Sequence, residues 1–256
     1  MTGGDSPWVR AWNPRPDAPV RLVCFPWAGG SALAFRPWAM SLPPEVEVCA
    51  IEYPGRSTRD HEAALDDVGQ LVAGVAAASD RLVGPGSPRL VVLGYSLGAL
   101  VAYEWLRQRG RQGHPPAAHF VPCARRAPHL PGRHGQVHQL PHDQLVAVLR
   151  DRFDAIPDVL LGEPELLERF MVPLRADLTA VENYRYAEGP ALCCPISAFG
   201  GRRDPDVSHL ELAQWSTHTT QGFTVEQLDA GHFFLGDPRL RQLVTHLCTA
   251  ARAGIE

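Results

Sequence analysis

The sequence predicts an α/β fold built on one mostly parallel sheet with helices on both faces. Short runs of apolar and β-branched residues recur along the chain, and longer segments with helical spacing separate them. Most of these runs are continuous rather than alternating, the pattern of strands buried on both faces. Hydrophobic residues make up 45% of the 256-residue chain and charged residues 20%, enough apolar material for one full core. No repeat or low-complexity linker divides the chain, so residues 1–256 are expected to form one domain.

Taken in order, the strands are expected at Val20–Phe25, Val46–Ile51, Arg89–Gly94, Ala118–Cys123, Pro195–Gly200 and Gly222–Leu228. Helical spacing of apolar residues marks Leu65–Val83, Leu97–Arg109 and Pro238–Ala253. From Pro131 to Glu188 only helical patterns occur. A short helix is expected over Asp143–Phe153, after Pro141. A longer one follows the start signal Pro164-Glu165, with Leu166, Leu167, Phe170, Met171, Leu174, Leu178 and Val181 at helix spacing. Long excursions of this kind are commonly functional, so residues 131–188 are expected to form a helical lid over a pocket at the carboxyl edge of the sheet.

Charge and composition exclude several functions. The net charge is −4, and all 24 basic residues are arginine, so no global basic field is available to hold nucleic acid. No stretch approaches the roughly 18 apolar residues of a membrane span. The segment Met1–Asp17 carries Pro7, Pro14 and Pro16 and no apolar core of a secretory leader. Cys24, Cys49, Cys123, Cys193, Cys194 and Cys248 form no CxxC pair and read as small buried hydrophobes in a reducing compartment. A cytoplasmic protein with no membrane association is expected.

The chemistry is carried by Gly94-Tyr95-Ser96-Leu97-Gly98, which follows the strand Arg89–Leu93 and opens the helix beginning at Ala99. This G-x-S-x-G element between strand and helix is the nucleophile elbow of the α/β-hydrolase fold, with Ser96 as nucleophile. That fold orders its triad as serine, acid, histidine. Among eleven histidines, His232 lies in Asp229-Ala-Gly-His-Phe-Phe, between the last strand and the last helix, whereas His209, His218 and His246 fit other positions better. Asp204, in the turn Gly200-Gly-Arg-Arg-Asp204-Pro205 after the penultimate strand, is the expected acid; Asp206 is the runner-up and Asp229 a distant third. The oxyanion donors expected are the N–H groups of Leu97 and of Ala28, in the loop Phe25-Pro-Trp-Ala-Gly-Gly-Ser31. No Lys-Ser/Thr follows those glycines, so a phosphate cradle is set aside.

Together these pieces resemble the type II thioesterases that accompany modular polyketide and nonribosomal peptide synthases. The resemblance runs from about Arg21 to Leu235. It includes Cys24-Phe-Pro-Trp-Ala-Gly-Gly-Ser31, Tyr53-Pro-Gly-Arg56, Arg125-Arg-Ala-Pro128, Leu174-Arg-Ala-Asp177-Leu, Glu182-Asn-Tyr-Arg-Tyr186 and Gly231-His-Phe-Phe234. It implies hydrolysis of acyl thioesters on the phosphopantetheine arm of acyl or peptidyl carrier proteins, with the triad Ser96, Asp204 and His232. It implies no metal and no cofactor of the enzyme's own. The chain departs from the family where Trp27 and Tyr95 replace its usual histidines, which makes these two pocket candidates; Phe170 and Met171, on the apolar face of the helical segment, are the lid candidates. Acidic carriers would need a local arginine patch, for which Arg56, Arg125 and Arg126 are the candidates. A monomer is expected. A product-releasing thioesterase, a general esterase and an inactive scaffold are the competing readings.

Overall fold

The computed structural model describes residues 6–83, 88–133, 135–153 and 162–253. Seven strands form one sheet: β1 (Val9–Arg10), β2 (Val20–Phe25), β3 (Val46–Ile51), β4 (Arg89–Tyr95), β5 (His119–Cys123), β6 (Ile196–Gly201) and β7 (Phe223–Leu228). Their spatial order is β1-β3-β2-β4-β5-β6-β7, and all pairs are parallel except β1 with β3. The six expected strands are therefore present to within a residue at each end. Strand β1 is an addition of two residues, too short for a hydrophobic pattern to announce it.

Every residue of β2 and β3 is buried, and successive side chains enter opposite layers. Val23 and Phe25 join one core cluster, Leu22 and Cys24 the other. The first layer holds α2 (Val68–Ala77), α3 (Ser79–Val83) and α4 (Leu97–Arg111), the second α1 (Arg36–Ser41) and α8 (Pro238–Ala253). The single helix expected over Leu65–Val83 begins instead at Val68, where the Asp67 side chain accepts the Gln70 N–H, and it breaks at Ala78. Strand β7 was expected to be buried on both faces. It lies at the sheet edge and alternates half-buried Phe223 and Val225 with exposed Thr224 and Glu226. Five cysteines are buried and Cys193 is exposed, so the buried reading fails for that one thiol.

The segment 131–188 contributes a short turn at Val137–Gln139, α5 (His142–Phe153) and α6 (Pro164–Asn183); residues 134 and 154–161 lie outside the described residues. Leu145 and Leu149 of α5 pack on Met171 and Leu174 of α6 in a third, smaller cluster. A five-residue helix, α7 (His209–Ala213), follows β6 and carries a capping box between Ser208 and Glu211. Among the described residues no helix is long and apolar enough to cross a membrane.

The chain leaves β2 for β3 on one side, then crosses back to β4 on the other. The order of strands thus reverses between β2 and β4, and a crevice opens at their carboxyl ends. The loop after β2 and the elbow after β4 meet there.

Candidate active site

Ser96 sits between β4 and α4 with φ 50° and ψ −112°, a conformation that costs a non-glycine residue about 1–3 kcal/mol. The surroundings hold it there. Its N–H donates to the Cys123 carbonyl at 2.8 Å, and its carbonyl accepts from Ala99 N–H at 3.0 Å. The two elbow glycines are steric necessities. A Cβ on Gly94 would come within 2.5 Å of the Ala99 Cα, and one on Gly98 within 2.2 Å of the Phe25 carbonyl oxygen. The second approach presses the start of α4 against the Phe25-Pro26 backbone, where the loop after β2 begins.

In that loop Gly30 N–H donates to the Trp27 carbonyl at 2.9 Å, closing a turn in which Gly29 has φ 75°. Gly29 N–H donates to the Asp177 carboxylate at 2.7 Å. The N–H of Ala28 has no partner among the described residues, nor does that of Leu97, the first residue of α4. Ala28 lines the same cavity as Ser96, and Leu97 follows Ser96 in the chain.

His232 Nδ1 and the Asp204 carboxylate are 2.7 Å apart, and the Asp204 side chain is fully buried. The second carboxylate oxygen accepts the Asp206 N–H at 2.9 Å. The loops carrying the two residues are joined by backbone bonds from Arg202 N–H to Leu228 and from Arg203 N–H to Ala230. Asp206 lies on the cavity wall, and Asp229 is exposed and ion-paired with Arg203. The structure thus brings Asp204, rather than either alternative, onto the histidine ring.

Ser96 and His232 both face a cavity of about 720 Å³, which Trp27, Ala28, Arg125 and Arg126 also line. From the helical segment, Leu149 of α5 and Leu174, Leu178 and Val181 of α6 contribute its apolar wall. Three of the four pocket candidates are displaced from this wall. Met171 is buried against α5, and Phe170 packs beside it, close enough to Gly29 that a Cβ there would meet its ring at 3.2 Å. The lining face of α6 starts one turn later, at Leu174. Tyr95 is wholly buried beneath the elbow; its hydroxyl donates to the His232 carbonyl and accepts the Phe234 N–H, both at 2.7 Å. Burial pushes the Tyr95 phenol well above its ordinary value, so this donor is retained at any working pH.

Arg56 is no surface arginine. It is buried and holds Asp177 of α6 through two bonds, of 2.5 and 2.8 Å, while also donating to the Gly30 carbonyl at 3.2 Å. Burial opposes its charge, and the Asp177 carboxylate outweighs that cost and raises the guanidinium above its ordinary value. Arg126 lies 3.4 Å from Glu211, and Arg125 is half-buried in the cavity wall. Burial, with Arg126 beside it, pushes the Arg125 guanidinium down to about 10, still charged at neutral pH. Arg56 and Asp177 each stand in a motif of the sequence, but no local pattern gives Asp177 a role; only the fold joins them.

Comparison with known proteins identifies the family. The thioesterase-domain family matches residues 20–250. The thioesterase PikA5 of Streptomyces venezuelae is 39% identical over 232 residues, covering 90% of this chain and 80% of that one. The gramicidin S biosynthesis protein GrsT of Aneurinibacillus migulanus is 32% identical, covering 96% and 94%. The structure of BorB, a type II thioesterase from the borrelidin biosynthetic cluster, superposes with a TM-score of 0.83 at 33% identity, covering 96% and 97%.

Proposed function

The chain belongs to the thioesterase family, among the type II enzymes of polyketide and nonribosomal peptide synthase pathways, and from that premise we propose how its site hydrolyses an acyl thioester. The substrate is an acyl group held on the phosphopantetheine arm of a carrier protein, and its removal clears a stalled or aberrant chain. Ser96 Oγ attacks the thioester carbonyl carbon as His232 takes the hydroxyl proton. Asp204 fixes the imidazole orientation and stabilises the imidazolium that forms. The oxyanion is held by the N–H groups of Ala28 and Leu97, a contribution of about 2.7–4 kcal/mol per donor in comparable sites. Collapse breaks the carbon–sulfur bond, and the departing thiolate takes the proton from His232. Water, deprotonated by His232, then attacks the acyl-serine and releases the carboxylic acid. The steps draw on protein groups and water.

One observation carries this reading: a strained, backbone-anchored serine shares its cavity with a histidine whose ring is bonded to a buried carboxylate. The apolar wall from Leu174, Leu178 and Val181 suits an acyl chain, and the helices α5 and α6 act as the lid of the single domain. Trp27 lies edge-on to both Tyr95 and Phe233 at the cavity wall and takes part in acyl selection. Arg125 and Arg126 remain the carrier-recognition candidates, since an arm entering the cavity passes their guanidinium groups.

The test is a fluorophosphonate adduct mapped to Ser96, together with turnover of acyl-carrier protein, acyl-coenzyme A and p-nitrophenyl esters. Ser96→Ala is expected to abolish labelling and lower thioester hydrolysis by orders of magnitude while leaving the fold intact. Near-normal turnover by that variant would remove the serine from the mechanism, and no turnover of any thioester by the unaltered protein would remove the function.

A further inference from the structure

Among the buried charged groups outside the triad, Asp177 is bonded to the loop that carries Ala28. Asp177, in the middle of α6, is completely inaccessible, and its carboxylate receives three bonds. Two come from Arg56, in the loop after β3. The third comes from Gly29 N–H, in the loop after β2. Arg56 also donates to the Gly30 carbonyl, so the pair grips the oxyanion loop on both sides of one peptide unit. An ion pair taken wholly out of water is a poor stabiliser compared with apolar packing of the same volume, and its better-attested use is to fix one arrangement among several.

The arrangement fixed here is the turn that presents Ala28. Three consecutive amides belong to Ala28-Gly29-Gly30. Gly30 N–H closes the turn on Trp27, Asp177 takes Gly29 N–H, and Ala28 N–H alone is left for a ligand. Without the carboxylate, Gly29, at φ 75° and with no side chain to restrain it, can reorient its peptide planes. The same helix packs its apolar side on this loop, since a Cβ on Gly29 would meet Leu174 at 3.1 Å and Phe170 at 3.2 Å.

We infer that Asp177 and Arg56 are positioning residues for the oxyanion hole, and that α6 completes the hole only when it is docked through this pair. Asp177 touches neither substrate nor triad. It acts through Gly29, and the lid helix that lines the acyl cavity thereby also sets the geometry of Ala28 N–H. The inference rests on Ser96 being the nucleophile, as proposed above, and goes beyond that proposal by assigning two residues and a coupling.

The experiment compares the unaltered protein with Asp177→Ala, Asp177→Asn and Arg56→Lys on a p-nitrophenyl ester, which needs no carrier contact. Because a hole donor acts in the transition state, kcat should fall about tenfold or more in Asp177→Ala while KM stays within about threefold. Affinity for a trifluoromethyl ketone, which forms a tetrahedral adduct with an oxyanion, should fall by the same factor as kcat/KM. Asp177→Asn keeps an acceptor for Gly29 N–H and should fall between the two. If Asp177→Ala does not fold, Asp177→Asn and Arg56→Lys carry the test. Folded variants with kcat within about twofold of the unaltered protein, or with lowered kcat and undiminished ketone affinity, would overturn the assignment. Failure of the unaltered protein to label at Ser96 would instead overturn the function proposed above, so the two failures are distinct.

Discussion

Replacing Tyr95 by phenylalanine removes one oxygen atom and tests how His232, the proposed base, is held. In the intact protein that oxygen accepts the Phe234 N–H and donates to the His232 carbonyl, each at 2.7 Å. Phe234 is buried, so its orphaned N–H costs most of the usual penalty of about 1–3 kcal/mol for an unsatisfied buried group. The His232 carbonyl is only partly buried and contributes toward the lower end of that range. The sum is about 2–4 kcal/mol, which for a domain of this size lowers the melting temperature by roughly 5–15 °C. The loop bearing His232 then loses its tie to the floor of the elbow, and a shift of about 1 Å in the imidazole would lower kcat on the order of tenfold to a hundredfold. Thermal unfolding followed by circular dichroism gives the first number, and hydrolysis of an acyl thioester well below the new melting temperature gives the second. A variant that melts within about 2 °C of the unaltered protein and keeps full kcat would refute the reasoning, because the two backbone groups would then have found other partners.

Three further outcomes are expected. Asp204→Asn should lower kcat by about four orders of magnitude by favouring the wrong imidazole tautomer, whereas Asp206→Asn should leave most activity; the reverse result would exchange their roles. His218 is pushed down to about 4 by burial, by His129 and by Arg107, so it is neutral in the folded protein and titrates near 6.5 when unfolded. Its contribution is fully present above pH 6.5 and is lost as pH falls toward 4, a change of about 3 kcal/mol at most. His218→Gln should flatten that part of the stability–pH curve in urea titrations, leaving the share of His119, which burial also pushes down to about 4. Arg126→Glu should raise KM for acyl-carrier protein and leave a p-nitrophenyl ester nearly unaffected; equal losses on both would show that Arg126 serves the fold through Glu211.

What could be read from the sequence was whatever local pattern decides. Strands β2 to β6 were legible because burial on both faces demands near-continuous apolar runs, and β7 was located although its edge position halves its burial. The elbow was legible because its two glycines answer to contacts within the motif and with the neighbouring strand. The role of Tyr95 was not, because a tyrosine beside the nucleophile looks the same in sequence whether it faces a pocket or the core; the side taken depends on the alternation of β4. Phe170 and Met171 were misplaced for a related reason. Helical spacing identifies the apolar side of α6 but not where along its length the cavity begins. Arg56 was read as a surface cation because its partner lies 121 positions away. No local pattern announces a pairing at that separation.

The site's parts are each secured by a contact that is distant in sequence. Gly29 and Asp177 are 148 positions apart, Phe234 and Tyr95 139, and His232 and Asp204 28. Each contact runs between the ends of different strands or from a strand end to α6, so none can form before the sheet is assembled. Ser96, by contrast, carries its backbone strain within the elbow and is held there by Ala99 in the same motif and by Cys123 on the next strand. A nucleophile held this way does not relax when it is idle, and the strain is offset by sheet pairing rather than by substrate. The oxyanion loop is held differently, through a helix that also walls the acyl cavity. On the inference drawn above, opening that helix to admit or release a chain would loosen the donor at Ala28 while leaving serine, histidine and aspartate in register. Such a site would keep its nucleophile formed at all times and make transition-state stabilisation conditional on lid docking. That division suits an enzyme whose substrates arrive tethered and vary in their acyl part: every chain meets the same nucleophile, and those whose fit lets α6 dock meet the complete oxyanion hole.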